Sequence, residues 1–265
     1  DNGGGVVVGD VNGDGLADLY FTGNQVDDRL YLNKGGLRFE DVTAKALPKD
    51  QHGWHTGVTM GDANGDGKLD IYVCRGGIWS DPSTRTNRFY QNAGNDGNGI
   101  PVFKERAREL GIADTTRSDQ AVFFDHDLDG DLDLYVINTS LQGKEQLSPT
   151  QVEELLKTRR SPTSRLYRND GARFTDITEA SGLLTYGYAL GVSVSDLDGD
   201  GRQDIYVAND YVQPDRMYMR NAIGGYTESI QERTRHISNF AMGCDVADYN
   251  NDGFVDIAVV DMVSE

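Results

Sequence analysis

The chain is poor in cysteine, with only Cys74 and Cys244 among its 265 residues. Both lie in apolar stretches typical of strands, so we expect two buried free thiols in different repeats. A disulfide between them is the alternative. Cysteine usage this sparse does not settle the redox compartment of the protein.

The sequence also lacks an excess of positive charge. It has 25 Lys and Arg residues against 43 Asp and Glu residues, which gives a formal net charge of -18. Nucleic acids and anionic membrane surfaces both attract basic residues, so this balance argues against either partner. No apolar run is long enough to cross a membrane. The first residue is Asp1 and not an initiator Met, so we expect a processed piece of a longer chain or of a larger surface complex.

The acidic excess is concentrated in five nine-residue loops, in which Asp recurs at positions 1, 5 and 9 and Gly at position 6. These loops contain 18 of the acidic residues, and the remaining 25 match the 25 basic residues of the chain. Like charges crowded into a turn repel one another, so something cationic must offset them. We number them loops 1 to 5; they span residues 10–18, 62–70, 125–133, 196–204 and 248–256.

The acidic loops recur within a longer repeated pattern, and their first residues are 52 to 71 residues apart. Periods of this size are typical of propellers and solenoids. Apolar runs such as "GVVVGD" and "LYFTG" flank each loop, and we interpret them as strands A and B of a hairpin. A third run such as "RLYLN" and a weaker fourth such as "RFEDVT" complete four antiparallel strands, the composition of a propeller blade. We therefore predict an all-β fold, a partial β-propeller of about four and a half blades.

The predicted organisation is a single propeller domain, or part of one, over residues 1–265. An insertion at 141–164 interrupts the third repeat, where Ser148, Pro149 and Gln151 predict a capped helix near 149–158. Segments after strand D, such as "AKALPKD" and "ARELGIAD", are expected to hold a helical turn. The predicted blades lie at about 5–45, 56–110, 119–182, 189–232 and 241–265.

The loops have the ligand chemistry of a hard dication such as Ca²⁺, which takes six to eight oxygen ligands. Side-chain oxygens stand at positions 1, 3, 5 and 9, the backbone carbonyl of position 7 can add another, and Gly at position 6 permits a sharp turn. Zinc would prefer His and Cys, which do not recur here. An EF-hand needs Glu at position 12, whereas position 12 is apolar and lies in strand B.

We therefore predict about five structural Ca²⁺ ions, one in each loop, whose binding also stabilises the fold. The predicted ligands are Asp10, Asn12, Asp14, Leu16, Asp18, Asp62, Asn64, Asp66, Lys68, Asp70, Asp125, Asp127, Asp129, Asp131, Asp133, Asp196, Asp198, Asp200, Arg202, Asp204, Asp248, Asn250, Asp252, Phe254 and Asp256.

Several segments together resemble a known family of repeats: "GDVNGDGLADLYFTGN", "NRFYQNAG", "FFDHDLDGDLDLYVIN" and "YVANDY". They are similar to FG-GAP/VCBS repeat proteins, which include the integrin α-subunit propeller. They are most similar to the cartilage-acidic-protein group and its bacterial relatives, which often carry an ASPIC/UnbV domain. The resemblance implies a calcium-stabilised propeller, usually of seven or so blades, in secreted or cell-surface proteins. This sequence is shorter, and it contains no ASPIC-type segment.

The resemblance leaves the ligand open, but the blade pattern predicts where it binds. If the A–B turns lie on one face, the D–A and B–C connections lie on the other, where aromatic and amide groups would suit a sugar or an extended peptide. The predicted ligand-face residues are His52, Trp54, His55, Arg75, Trp79, Tyr186, Tyr188, Asn209, Asp210, Tyr211 and His236.

Three functions are compatible with this pattern. The first is a non-enzymatic, extracellular recognition or adhesion module that binds a protein or a polysaccharide. The second is a lyase-like enzyme acting on polysaccharides, with His55, Tyr188 or His236 as the proton acceptor. The third is a structural subunit of a surface assembly.

Overall fold

The computed structural model describes residues 3–49, 53–77, 81–140, 147–158, 164–211 and 213–262. These residues form eighteen strands, four α-helices and one 3-10 helix (Pro82–Arg85). The helices are α1 (Thr43–Ala46), α2 (Ala107–Leu110), α3 (Pro149–Thr158) and α4 (Ile230–Arg233). The strands are β1 (Val6–Gly9), β2 (Asp18–Phe21), β3 (Arg29–Asn33), β4 (Phe39–Asp41), β5 (His55–Gly61), β6 (Asp70–Arg75), β7 (Arg88–Asn95), β8 (Pro101–Glu105), β9 (Ser118–Phe124), β10 (Asp133–Asn138), β11 (Arg165–Asn169), β12 (Phe174–Asp176), β13 (Ala189–Ser195), β14 (Asp204–Asn209), β15 (Arg216–Arg220), β16 (Tyr226–Glu228), β17 (Ala241–Ala247) and β18 (Asp256–Asp261).

The strands form four four-stranded sheets, each in the order of the sequence (β1–β4, β5–β8, β9–β12 and β13–β16), and a two-stranded sheet of β17 and β18. The described strand pairs are antiparallel, as in Val6 opposite Phe21 and Gly9 opposite Asp18. The all-β class and the four-stranded repeat predicted from the sequence are therefore confirmed. Because position 9 of each acidic loop begins strand B, the loop is the turn of the A–B hairpin.

Strand B is fully buried in three of the four complete sheets. Every residue of β6, β10 and β14 is buried, in agreement with their uninterrupted apolar and β-branched character. By contrast, Val6 and Val8 of β1 are more than half exposed, and so is Val260 of β18. The lack of alternation in the sequence thus correctly predicted that both faces of these three B strands are covered.

A hydrogen-bonded tyrosine recurs in the sheets and was not predicted. The third residue of strand B is Tyr in the four complete sheets. In two of them its hydroxyl donates to the aspartate just before strand C, from Tyr20 to Asp28 at 2.5 Å and from Tyr206 to Asp215 at 2.7 Å. In the second sheet the partner is Asn87, which donates to the Tyr72 hydroxyl at 3.0 Å. In these three sheets, the buried tyrosine hydroxyl is therefore satisfied by the B–C connection of its own sheet.

The A strands of consecutive sheets approach each other closely at two glycines. A Cβ atom on Gly57 of β5 would lie 2.4 Å from the carbonyl oxygen of Asp119 in β9. A Cβ atom on Gly191 of β13 would lie 2.9 Å from the Cα atom of Gly243 in β17. Glycine is needed at both positions because the neighbouring backbone leaves no space for a side chain.

Tertiary contacts divide the chain into two compact units, residues 1–123 with 169–175 and residues 124–168 with 176–265. The division falls inside the third repeat. None of the described helices has the length and apolar character needed to span a membrane.

The helix predicted in the insertion is confirmed as α3, and helical turns α1, α2 and α4 follow strand D as predicted. The Ser148 Oγ accepts from the Gln151 amide at 3.4 Å, and the Gln151 side chain accepts from the Ser148 amide at 2.9 Å, as in a capping box. Residues 141–146 and 159–163 of the insertion lie outside the described residues.

Both cysteines are free, as expected. Cys74 is fully buried, and burial raises the pKa of its thiol. Cys244 is only half-buried, so the expectation of two buried thiols holds for Cys74 alone.

Candidate functional site

The first aspartate of each acidic loop organises the turn by accepting backbone hydrogen bonds. In loop 1, Asp10 accepts from the amides of Gly13 at 2.7 Å, Asp14 at 3.2 Å and Gly15 at 2.8 Å. The glycine at position 6, Gly15, has φ +82°, a backbone conformation that is unfavourable for residues with a side chain. The same bond from the position-6 amide recurs at Gly67, Gly130, Gly201 and Gly253.

Positions 3 and 5 continue this pattern towards strand B. Asn12 accepts from the Asp14 amide at 3.1 Å, and Asp14 accepts from the Leu16 amide at 2.9 Å. These bonds hold the side chains of the odd positions on the inner side of the turn, where their remaining oxygens can act as ligands.

The aspartate at position 9 has a second role that the sequence analysis did not predict. Asp70 is fully buried; it accepts from the Ala63 amide of its own loop at 3.2 Å and from the Asn92 amide at 2.8 Å. Asn92 belongs to strand C, so this carboxylate joins the loop to the third strand of the blade. The recurring Asn at the end of "RLYLN", "RFYQN" and "RLYRN" was the only available sign of this contact.

The strand C contact is repeated in two further blades. Asp18 accepts from the Asn33 amide at 2.9 Å, and Asp204 accepts from the Arg220 amide at 2.7 Å. In the two-stranded sheet, Asp256 is half-buried and accepts from the Tyr249 amide of its own loop at 3.0 Å.

Carboxylates from positions 1, 3 and 9 converge in loops 3 and 4. One oxygen each from Asp125, Asp127 and Asp133 lie within 4.8 Å of one another, and the same is true of Asp196, Asp198 and Asp204. Two oxygens bound to the same Ca²⁺ at about 2.3–2.6 Å can be no more than about 5 Å apart, so one ion could contact all three groups. In loops 1, 2 and 5, position 3 is Asn and offers a neutral oxygen instead.

The electrostatics of the loops favour a cation. Burial raises the pKa of Asp70 to about 6, even though its two backbone hydrogen bonds act in the opposite direction. Burial also raises the pKa of Asp131 to about 6, and repulsion from Asp129 adds to this effect. The Oδ1 atom of Asp131 is buried and has no hydrogen-bond partner among the described residues. An all-oxygen donor set with unneutralised carboxylates fits a hard dication.

Basic side chains partly neutralise two of the loops. Lys68 lies 3.0 Å from Asp66 within loop 2. In loop 4, Arg202 pairs with Asp200, and Arg233 of α4 lies 3.1 Å from Asp198. Sequence reasoning identified Lys68 and Arg202 only for their backbone carbonyls and did not identify Arg233.

Five of the eleven residues of the predicted ligand face are buried. His55, Arg75, Tyr186, Asn209 and Asp210 are buried, although Tyr186 lines an open surface cavity. His55 is the clearest case, because its Nδ1 lies 2.6 Å from the Asp28 carboxylate and its side chain is 0% exposed. It therefore joins two blades, and it is not available as a proton acceptor for a substrate.

The other ligand-face residues remain accessible or lie outside the described residues. Trp54 is half-buried and His236 is exposed, whereas His52 and Trp79 are outside the described residues. Tyr188 and Tyr211 are half-buried and form an edge-to-face pair with ring centroids 5.0 Å apart. Tyr211 has φ +63°, an uncommon conformation for a bulky residue.

Four-stranded antiparallel sheets, each with an acidic loop at its A–B hairpin, define a β-propeller-like repeat protein. The sequence narrows this class further. The family model of the FG-GAP-like repeat matches residues 2–73, 154–207 and 196–259, more than half of the chain. The chain therefore belongs to the FG-GAP-like repeat family, and the resemblance inferred from its motifs is confirmed.

Similar proteins include cartilage acidic protein 1 of Mus musculus, 25% identical over 268 residues, and of Homo sapiens, 24% identical over 270 residues. Each match covers 97% of this chain but only 37% and 36% of the relative, so the chain spans little more than a third of these proteins. A solved Agrocybe aegerita lectin, described as recognising non-reducing terminal N-acetylglucosamine, is similar with a TM-score of 0.52 and 18% identity. That match covers 96% of this chain and 59% of the lectin chain, and it supports the fold alone.

Proposed function

We propose that the chain is a calcium-binding recognition or adhesion module of an extracellular or cell-surface protein, and that its calcium is structural. The observation that carries this proposal is the convergence of three aspartates in loops 3 and 4, within a turn pattern that recurs in all five loops. Bound Ca²⁺ would supply positive charge among carboxylates that otherwise repel one another.

The structural role follows from the position of the loops. Each loop is the turn of an A–B hairpin, and in three blades its last aspartate also holds strand C. A cation in the loop would favour the ionised form of this buried carboxylate, whose pKa is raised in Asp18, Asp70 and Asp204. We therefore assign the ion to positions 1, 3, 5, 7 and 9 of each loop, with about five ions in all.

The recognition role is supported by family membership and by the named relatives. We propose that the five predicted blades form one domain, or part of one, and that its partner is an extracellular protein or a polysaccharide. The accessible aromatic pair of Tyr188 and Tyr211 is the best placed of the predicted ligand-face residues, because aromatic rings provide contact area at little entropic cost.

Calcium titration of the chelator-treated protein by isothermal calorimetry tests the metal assignment. We expect about five ions and a thermal midpoint that rises with calcium, since an ion that binds only the folded state stabilises it. The variant Asp125→Asn should lose one site, whereas Asp27→Asn, which changes an exposed aspartate outside the loops, should lose none. A folded protein that binds no divalent ion would refute the assignment.

Glycan arrays and matrix-protein arrays, each with and without chelator, test the recognition role. The proposal expects calcium-dependent binding without turnover, weakened in Tyr188→Ala. Unsaturated, ultraviolet-absorbing products from a uronate polymer would instead favour the lyase-like enzyme. Calcium-dependent stability with no ligand in either array would favour a structural subunit.

A further inference from the structure

The five acidic loops do not carry equal charge. Loop 3 has aspartate at all five odd positions, including Asp127 at position 3 and Asp131 at position 7. Loop 4 has four aspartates, with Arg202 at position 7, and loops 1, 2 and 5 have three each. Calcium affinity rises with the number of charged ligands and with the rigidity of the site, so the loops should not fill together.

Loops 3 and 4 differ most clearly in their basic neighbours. The Nη2 atom of Arg233 lies 3.1 Å from Oδ2 of Asp198, at position 3 of loop 4. In the part of the chain that the structure describes, no Lys or Arg forms an ion pair with the equivalent Asp127 of loop 3. Arg168 and Arg220 also attract Asp127, but burial and repulsion from Asp129 outweigh this attraction and raise the pKa of Asp127.

The position of Arg233 distinguishes it from the other basic residue at loop 4. Arg202 pairs with Asp200, which is not one of the three converging aspartates. Its Nε atom also donates to the carbonyl of Arg220 at 3.1 Å, which fixes it beside strand C. Arg233 comes from outside the loop and pairs with Asp198, which is one of the converging ligands.

The side chain of Arg233 is also able to move away from Asp198. It is the last residue of α4, and its side chain is 44% exposed. The helix itself is held independently by Ile230, which is buried in a cluster with Tyr206 and Met217. The guanidinium can therefore move into solvent without disturbing the packing of its helix.

We propose that Arg233 competes with calcium for Asp198 and thereby lowers the affinity of loop 4, so that loop 3 fills first. This inference rests on the proposed calcium-binding function. Calcium bound through Asp198 displaces the Arg233 guanidinium, because two cations held at close range by one carboxylate repel each other. Metal occupancy of loop 4 is thus coupled to the contact between that loop and α4.

The position-6 glycines provide a separate signal for each loop. The amides of Gly130 and Gly201 donate to the first aspartate of loops 3 and 4, so their nuclear magnetic resonance peaks should shift when that aspartate binds a metal. Titration of chelator-treated, ¹⁵N-labelled protein with Ca²⁺ therefore gives a midpoint for each loop. In the wild-type chain we expect the Gly130 peak to reach its midpoint at a lower Ca²⁺ concentration than the Gly201 peak.

The decisive variant is Arg233→Ala, with Arg233→Gln as a second substitution that keeps a polar side chain. Both should lower the Gly201 midpoint by about twofold to fivefold, the range expected for removal of an exposed ion pair, and leave the Gly130 midpoint unchanged. The matched control is Arg165→Ala, which removes a 3.0 Å pair with Asp176 outside the loops and should move neither midpoint.

The outcomes separate this inference from the proposed function. If calcium shifts both glycine peaks but the Arg233 variants leave the Gly201 midpoint unchanged, Arg233 is not a competitor and only this inference fails. An equal or lower midpoint for loop 4 in the wild-type chain also overturns it. If calcium shifts neither peak, the proposed calcium-binding function fails first.

Discussion

Replacement of His55 with Ala should destabilise the first unit of the chain. His55 begins β5, and its Nδ1 donates to the Asp28 carboxylate, since an ionised carboxylate can only accept. Asp28 also accepts from the Tyr20 hydroxyl and from the Gly23 amide at 2.8 Å. Both members of the pair are fully buried, so the loss of His55 removes a charge-assisted bond and leaves a cavity between two blades.

The magnitude can be estimated from these contacts. A hydrogen bond to a charged group contributes about 1.5–3 kcal/mol, and the residual cavity adds to the loss. Because Asp28 keeps two other donors, its carboxylate is not left wholly unsatisfied. We therefore expect His55→Ala to lower the free energy of unfolding by about 3 kcal/mol.

The neighbouring blade supplies a rescue variant. At the equivalent positions, Asn87 donates to the hydroxyl of Ser118 at 2.8 Å. The double variant Asp28→Asn with His55→Ser copies that pair and should recover part of the lost stability. His236→Ala is the matched control, because this histidine is exposed and its loss should change stability by less than about 0.5 kcal/mol.

Urea unfolding at fixed calcium concentration, followed by tryptophan fluorescence, measures these differences. Trp54 is adjacent to His55 in the sequence and reports on this region. The reasoning is refuted if His55→Ala lowers the free energy of unfolding by less than about 1 kcal/mol, since the loss of a buried charge-assisted hydrogen bond should exceed this value. A double variant no more stable than His55→Ala would show that the two interblade pairs are not equivalent.

Three further predictions concern the glycines, the loops and pH. Gly57→Ala should lower the free energy of unfolding by at least about 2 kcal/mol, because the added Cβ atom would lie 2.4 Å from a backbone oxygen. A Cβ atom at Gly3 would have no atom within 4 Å, so Gly3→Ala should be nearly neutral. Thermal unfolding of both variants checks this difference. Asp196→Ala should remove one calcium ion in calorimetry and lower the thermal midpoint, and an unchanged stoichiometry would contradict the assignment of loop 4. Burial, together with repulsion from Arg220, lowers the pKa of His126 to about 4. The folded state therefore favours the neutral imidazole, and the free energy of unfolding decreases as the pH falls from about 6.5 towards 4. His126→Gln should lose less stability than the wild-type chain over that interval in urea unfolding at a series of pH values.

Much of the fold could be predicted because its signals are local and repeated. The spacing of Asp and Gly in the loops places each hairpin turn, and the apolar runs on either side give strands A and B. The insertion helix was predicted with its observed bounds because Ser148 and Gln151 form a capping box within four residues. Signals of this kind need no knowledge of distant contacts.

The contacts between blades could not be predicted in the same way. Asp28 and His55 are 27 residues apart, and nothing near either residue shows that they meet. A histidine in a D–A connection has the same appearance whether it faces solvent or an aspartate, and His55 was therefore assigned to the ligand face. The contact of Arg233 with Asp198 could not be predicted for a related reason, since the two residues are 35 positions apart and Arg233 lies outside any repeated motif.

The bond from position 9 to strand C sets an order in which each blade can be completed on the ribosome. The amides that reach Asp18, Asp70 and Asp204 lie 15, 22 and 16 residues further along the chain. A nascent A–B hairpin therefore holds a carboxylate with half of its final donors until the next stretch of polypeptide has emerged. During synthesis from the N-terminus, the bonds from position 9 can therefore form only one after another, each after its own strand C has emerged.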